Sequence, residues 1–197
     1  SHYNPVMLMA GDVGGTKTLL GLFEPGHPRP VPVTTHTYST NDFRTFGDML
    51  DAFTQDVQRP LDLSAAALGV AGPVVANTAT LTNVTWNVAA SEVQSRCRVP
   101  RVQLLNDLEA MATSVEVLTS DEFVLLQQGA PRADGNAAVI AAGTGLAQAY
   151  LHRVEGRLRP VPSEGGHADF AARTGREIEL VRLLRELYGG AEVEHVL

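Results

Sequence analysis

Cysteine is almost missing from this chain. Cys97 stands alone among 197 residues, which excludes a disulfide framework and a cysteine-built zinc site. Its plain reading is a small residue on a helix near Val99. Positive charge is scarce too: 15 Lys and Arg stand against 22 Asp and Glu, a formal net charge of -7. A nucleic-acid-binding surface wants clustered Lys and Arg, so that class is set aside. No apolar run approaches the length of a membrane span, and the first residues lack the charged-then-apolar pattern of a secretory signal. Ser1-His2-Tyr3-Asn4-Pro5 reads as an unstructured lead-in. The expectation is a cytoplasmic chain of one or two domains with a sizeable core, and neither nucleic acid nor membrane as partner.

What is present centres on residues 7–22. An apolar run enters the turn Gly14-Gly15 and a second apolar run leaves it, the pattern of a β-hairpin whose glycines supply positive φ angles. Adjacent glycines also let a phosphate approach the backbone, and successive N–H groups in such a turn form an anion-binding nest. Thr16 and Lys17 add a hydroxyl and a cation. Asp12 at the mouth suits a hydrated Mg²⁺. Thr16 stands where a P-loop needs its second glycine, and a strand rather than a helix follows, so neither the P-loop nor the dinucleotide fingerprint applies. On the turn alone, a plain hairpin is the simpler reading.

Downstream, residues 25–32 read as a loop and residues 33–38 as a third strand. Residues 39–42 offer N-caps for a helix over 43–56, with Phe43, Phe46, Met49, Leu50 and Phe53 on one face. Residues 65–70 form a continuous apolar run, expected as a strand buried on both faces. A short hairpin follows over 74–81, then Trp86 in a polar connection. A weaker helix spans 90–98 with Ser91 as a possible cap. A strand over 102–105 leads through Asn106-Asp107 into a helix to about residue 118, and residues 123–126 read as a short strand. A second strand–glycine turn–strand unit runs from Ala137 through Gly143-Thr144-Gly145 to His152. Residues 160–170 have too much Gly and Pro for an element, yet carry Glu164 and His167. An amphipathic helix spans 177–188 with Ile178, Leu180, Val181, Leu184 and Leu187.

Asp107 follows a parallel-type strand, beyond whose carboxyl end open α/β sheets place ligands. There it could take the proton of a substrate hydroxyl during phosphoryl transfer. Taken alone, a helix N-cap explains it more simply. Glu164 and His167 could hydrogen-bond sugar hydroxyls; a metal site three residues apart in a glycine-rich loop has weaker support.

The order is more specific than any part. Gly11-Asp12-Val13-Gly14-Gly15-Thr16, Leu105-Asn106-Asp107, Ala142-Gly143-Thr144-Gly145 and Glu164-Gly165-Gly166-His167 together resemble the bacterial glucokinases of the sugar-kinase, heat-shock ATPase and actin superfamily, from about Met7 to the end. The resemblance implies an α/β, ribonuclease H-like (actin-like ATPase) fold with a mixed five-stranded sheet. It places a small N-terminal lobe at residues 6–118 and the beginning of a related second lobe, only partly present, at 119–197. It implies ATP and Mg²⁺ as cofactors and glucose or a similar hexose as substrate, phosphorylated to the 6-phosphate as the first step of glycolysis. A homodimer is implied for the full-length protein.

By the same resemblance Gly11, Asp12, Val13, Gly14, Gly15 and Thr16 form the first phosphate loop and Gly143, Thr144 and Gly145 the second. Asp12 meets Mg²⁺ through water. Asp107 is the catalytic base and itself a sugar ligand, with Asn106, Glu164, His167 and Glu194 as the others. Family members continue beyond Leu197, so the chain reads as an N-terminal portion expected to turn over poorly alone. The alternatives are a kinase for another hexose or an amino sugar, and a non-catalytic sugar-binding regulator.

Overall fold

The computed structural model describes residues 6–58, 61–81, 84–130, 132–143 and 145–196. The expected lead-in at residues 1–5 and Thr144 of the second glycine turn lie outside the described residues. Contacts cluster into one unit ending at Ala110 and another beginning at Met111. The division falls within a helix, ahead of the 118/119 boundary placed from sequence.

In the first unit, β1 (Met7–Val13) runs antiparallel to β2 (Lys17–Glu24), and β2 runs antiparallel to β3 (Val31–Ser39). β3 extends two residues into the proline-rich loop, where Pro32 pairs with Phe23 at a register shift. After α1 (Phe46–Asp56), β4 (Leu63–Val70) lies parallel to the other edge of β1. β5 (Val74–Val75), β6 (Thr78–Thr80) and β7 (Asn87–Ala89) form a small separate sheet. Ala76 and Asn77, both at positive φ (47° and 57°), make its first turn. α2 (Ala90–Cys97) leads to β8 (Val102–Asn106), parallel to β4, and then to α3 (Asp107–Ser114). The main sheet is therefore five-stranded and mixed, in the order β3-β2-β1-β4-β8.

Alternation along the strands sends Met7, Met9, Val13, Leu20, Leu22, Leu68 and Leu104 to one face, where they are buried with Phe46, Met49, Leu50 and Phe53 of α1 and Val93 and Cys97 of α2. Full burial of each large apolar side chain contributes about 1.5–3 kcal/mol. Trp86, expected in a polar connection, belongs to this core: it is 4% exposed, and its indole N–H donates to the Arg44 carbonyl at 3.0 Å.

The other face is covered only in part. A Cβ on Gly69 would touch Ala110 of α3 at 3.1 Å, but Ala67 is exposed and an open apolar trough of about 660 Å³ runs past Leu8, Ala10, Ala65 and Gln103. The expectation that residues 65–70 are buried on both faces fails at that end, because α3 reaches only the carboxyl end of the strands.

The caps also differ from expectation. Thr40–Asp42 form a 3-10 turn, and α1 is capped by Thr45, whose Oγ1 accepts from Asp48 N–H at 3.1 Å while Asp48 Oδ2 accepts from Thr45 N–H at 3.1 Å. This is a capping box. For α2 the N-cap is Ala89 rather than Ser91, and its side chain makes no cap hydrogen bond.

The second unit holds β9 (Ala137–Ala142), β10 (Leu146–Val154) and β11 (Arg157–Ser163), antiparallel in the order β11-β10-β9, followed by α4 (Gly175–Tyr188). β11 overturns the expectation that proline bars an element around residue 160. Pro160 and Pro162 oppose Leu151 and Ala149, two residues apart on an edge strand, so their missing N–H groups both belong to the outward side. Leu158 shares that side, and its N–H is met by Glu116 Oε1 at 2.8 Å.

α4 starts earlier than expected, on a second capping box between Thr174 and Glu177. Of its apolar face only Leu184 is buried; Ile178 and Leu187 are exposed. The strand expected at residues 123–126 is absent: no strand pairs there, and Leu126 is 94% exposed.

Candidate functional site

Three parallel strands carry the first group of residues to one end of the main sheet. Asp12 of β1 lies beside Gly69 of β4, and Val70 lies beside Asn106 of β8. Asp12, Asn106 and Asp107 thus stand at carboxyl ends, where open α/β sheets hold ligands. The carboxyl group of Asp12 is raised above its ordinary range, first by lost hydration and then by the negative charge of Asp107, with Lys17 opposing. Two carboxylates that repel each other form a donor set that a hydrated divalent ion fits, because the cation relieves that repulsion.

The glycine turn beside them is tight for a reason other than the expected one. Neither Gly14 nor Gly15 is among the glycines at positive φ. Gly14 is needed because its N–H donates to the Lys17 carbonyl at 3.1 Å, and a Cβ there would lie 2.7 Å from that oxygen. Gly11 and Val13 lie within β1. A Cβ on Gly11 would come within 2.7 Å of the Leu20 and Leu68 side chains, and the Val13 side chain is fully buried. These two residues could meet a phosphate only through their backbone. Thr16 and Lys17 are exposed at the tip.

Two threonines hold this turn: Thr18, and Thr40, which the sequence offers as a helix cap. Thr18 and Thr40 are both 0% exposed. Thr40 Oγ1 donates to the Gly14 carbonyl at 2.8 Å and lies 3.0 Å from Thr18 Oγ1. A hydroxyl has one proton, so Thr18 is the donor within the pair. The Thr40 N–H also donates to the Thr16 carbonyl at 3.0 Å. Replacing Thr40 by Val should therefore strand a carbonyl and cost about 1–3 kcal/mol, read as a drop in urea-unfolding free energy. An unchanged value would mean that the turn does not depend on this chain of hydroxyls. Lys17 carried its own signal, being the sole lysine of the chain.

Asp107 opens α3, yet the cap does not depend on it alone. Asn106 Oδ1 accepts the Leu108 N–H at 3.0 Å, and Asp107 Oδ1 accepts the same N–H at 2.8 Å. Asn106 Nδ2 also donates to the Gly72 carbonyl at 3.1 Å. With Asn106 already serving the helix end, the exposed Asp107 carboxylate has capacity left for a substrate hydroxyl.

In the second unit, the other glycine turn closes with Gly143 N–H donating to the Gly145 carbonyl at 2.9 Å. Glu194 is bound to this turn. Its Oε2 accepts the Leu146 N–H at 2.9 Å, and a Cβ on Gly145 would lie 2.5 Å from that oxygen. The Glu164-Gly165-Gly166-His167 segment presses on the same strand, since a Cβ on Gly166 would overlap the Leu146 carbonyl oxygen. Structure thus gathers Gly145, expected from sequence at the ATP phosphates, with His167 and Glu194, both expected at the sugar.

His167 Nδ1 lies 2.7 Å from Glu192 Oε2 and 4.0 Å from Glu194 Oε1, while Nε2 lies 3.8 Å from Glu164 Oε2. The imidazole is raised above its ordinary value, first by the hydrogen bond to Glu192 and then by the charges of Glu194, Glu192 and Glu164. One ligand atom each of His167, Glu192 and Glu194 falls within a 4.8 Å span. The short His167–Glu192 contact makes this a proton-sharing cluster, and such groups suit sugar hydroxyls, which both donate and accept. Sequence reasoning missed Glu192, because only the contact with His167 marks it out.

A family model described as Glucokinase matches residues 9–197. The chain is 35% identical over 204 residues to the glucokinase of Synechocystis, covering 98% of this chain and 58% of that protein. Against the glucokinase of Trichormus variabilis it is 35% identical over 179 residues, covering 90% and 52%. A crystal structure of glucokinase from an Antarctic psychrotroph superposes with a TM-score of 0.81 at 27% identity, covering 95% of this chain and 59% of that one. A glucokinase of the ROK family from Streptomyces griseus, solved with glucose and AMPPNP, gives 0.54 at 25% identity, covering 84% and 51%. The chain spans somewhat more than half the length of these curated relatives.

Proposed function

Because this chain belongs to the glucokinase family, we propose that its residues serve ATP-dependent phosphorylation of glucose at the 6-hydroxyl. The observation that carries the reading is the placement of Asp12 and Asp107 at the carboxyl ends of β1 and β8, with the charge of Asp107 felt at Asp12, beside the turn at Gly14-Gly15. A base for a hydroxyl and an acid for a hydrated cation are what phosphoryl transfer to a sugar requires.

ATP would supply the phosphoryl group, with Mg²⁺ neutralising its charge. Gly15 and Thr16 would hold phosphate through backbone N–H groups, with Gly14 closing the turn on the Lys17 carbonyl and the Lys17 cation helping, and Asp12 would hold Mg²⁺ through water. Gly143, Thr144 and Gly145 are the proposed second phosphate turn. Asp107 accepts the proton of the 6-hydroxyl and orients its oxygen. Asn106, Glu164, His167 and Glu194 hydrogen-bond the remaining hydroxyls. Cytoplasmic residence and dimer formation belong to the same proposal; among the described residues no helix is long and apolar enough to cross a membrane.

The test is a coupled phosphorylation assay on the full gene product with ATP and Mg²⁺ across glucose, other hexoses and amino sugars. Glucose is expected to give the highest kcat/KM, and chelation of Mg²⁺ should abolish turnover. Preference for an amino sugar would correct the substrate. Nucleotide-independent glucose binding with no turnover would replace the enzyme by a sugar-binding regulator.

A further inference from the structure

The second unit contains an acid that the proposed reaction has not used. Glu192 is brought to His167 by backbone as well as side chain. Phe170 N–H donates to the Ala191 carbonyl at 2.7 Å, and Val193 N–H donates to the Ala168 carbonyl at 2.9 Å. Between these two bonds Asp169 and Glu192 form an antiparallel bridge. The strip bearing Glu192 is thus clamped to the segment just after His167, and the 2.7 Å contact between His167 Nδ1 and Glu192 Oε2 follows from that clamp.

We propose that Glu192 is a positioning residue for His167, holding the Nδ1 proton so that Nε2 is the ring nitrogen presented to the hexose. This rests on His167 being a hexose ligand. A carboxylate can only accept, so the shared proton must sit on Nδ1. That fixes the ring orientation and the tautomer together, as second partners of functional histidines do elsewhere. Because Nδ1 stays protonated in both charge states, Nε2 serves as acceptor when the ring is neutral and as donor when it is charged. A hexose hydroxyl can meet either.

The groups facing the ring are Glu192 and Glu194 from the strip that follows α4, and Glu164 from the ring's own loop. His195 is turned away from it: the Glu192 N–H donates to His195 Nδ1 at 3.4 Å, and the His195 ring stacks on Tyr188 at 4.6 Å. Glu194 spends one oxygen on the Leu146 N–H, and Glu164 is 92% exposed. That leaves Glu192 as the partner in direct contact.

The experiment uses long-range ¹H–¹⁵N spectra of His167 in the full gene product, together with glucose binding by calorimetry. The variants are Glu192→Ala, Glu192→Gln and His167→Asn. In the parent, Nδ1 should be protonated throughout and the ring should titrate above the ordinary histidine value of about 6.5. Glu192→Ala should give mixed tautomers, a lower titration midpoint and roughly three- to tenfold weaker glucose binding, the size of one ordinary hydrogen bond. Glu192→Gln, which keeps an accepting oxygen without the charge, should restore the tautomer and most of the affinity but not the raised midpoint.

An unchanged His167 spectrum in Glu192→Ala overturns the proposal. So does an altered spectrum with parental glucose affinity, provided His167→Asn binds weakly. Parental affinity in His167→Asn removes the hexose-ligand reading itself, and with it the positioning role, an outcome separable from the first because the spectra still show the His167–Glu192 bond.

Discussion

Asp107→Asn should leave glucose binding intact while phosphoryl transfer falls by about 10²–10⁴-fold. A sugar hydroxyl is a weak acid, and the loose transition state of phosphoryl transfer places little bonding on the attacking oxygen until late. The base must therefore both aim the hydroxyl and receive its proton as the new bond completes. An amide retains the size and much of the hydrogen bonding of the carboxyl group, but it is almost non-basic. The start of α3 should survive the change, because Asn106 Oδ1 already accepts the Leu108 N–H. A local check is available in Asp12, whose carboxyl group is raised in part by the charge of Asp107. Neutralising Asp107 should let Asp12 fall back toward its ordinary value, visible in its carboxyl ¹³C titration. The measurements are calorimetry with glucose and product formation with ATP, both on the full gene product. A rate within a few-fold of the parent would reduce Asp107 to a helix cap.

The largest effect on stability is expected at Phe53. Its side chain is fully buried, in the row Phe46, Met49, Leu50 and Phe53 that joins α1 to the main sheet. The ring also meets His36 of β3 edge-on at 5.8 Å. Phe53→Ala removes that contact and leaves a cavity between a helix and a sheet, neither of which can close the gap freely. The expected cost is about 3–5 kcal/mol in urea-unfolding free energy. Leu187→Ala on the exposed face of α4 is the control, since Leu187 is 64% exposed, and surface changes of this kind stay within about 0.5 kcal/mol. Equal effects at the two positions would contradict the placement of the core.

The row that Phe53 belongs to was legible because helical period and aromatic content agreed over about two turns, from Phe46 to Phe53. The strands flanking both glycine turns were legible for a similar reason, since apolar runs separated by so few residues can only turn back on each other. The start of α1 was misread because Thr40, a good cap by type, spends its hydroxyl on the Gly14 carbonyl, and Thr45 takes the cap instead. That choice depends on a residue far off in sequence, which no local pattern records. Residues 123–126 have the composition of a strand, but a strand needs a partner edge, and none meets them among the described residues. Pro160 and Pro162 read as breakers in the sequence, which does not show which strand lies at an edge.

For the candidate site, the motif order gave the residues but not their neighbours. The charge of Asp107 felt at Asp12, and the bond of Glu194 to the second glycine turn, join segments distant in sequence. Glu192 shows the same limit most sharply. Only Val193 separates it from Glu194, and it is the bridge to Asp169 that reveals which acid the imidazole meets.

Trp86 has a use that its role in packing does not suggest. It is the only tryptophan of the chain, it is 4% exposed in the first unit, and its ring lies 6.1 Å from that of Phe46. Indole emission is therefore an optical report from the first unit alone, with the second unit dark at wavelengths that excite only tryptophan. Circular dichroism, by contrast, collects signal from helices on both sides, α4 included. Following both signals through one denaturation asks whether the chain melts as a single cooperative block, in which case the curves coincide, or as two. The lone indole lets that coupling be measured without attaching any label.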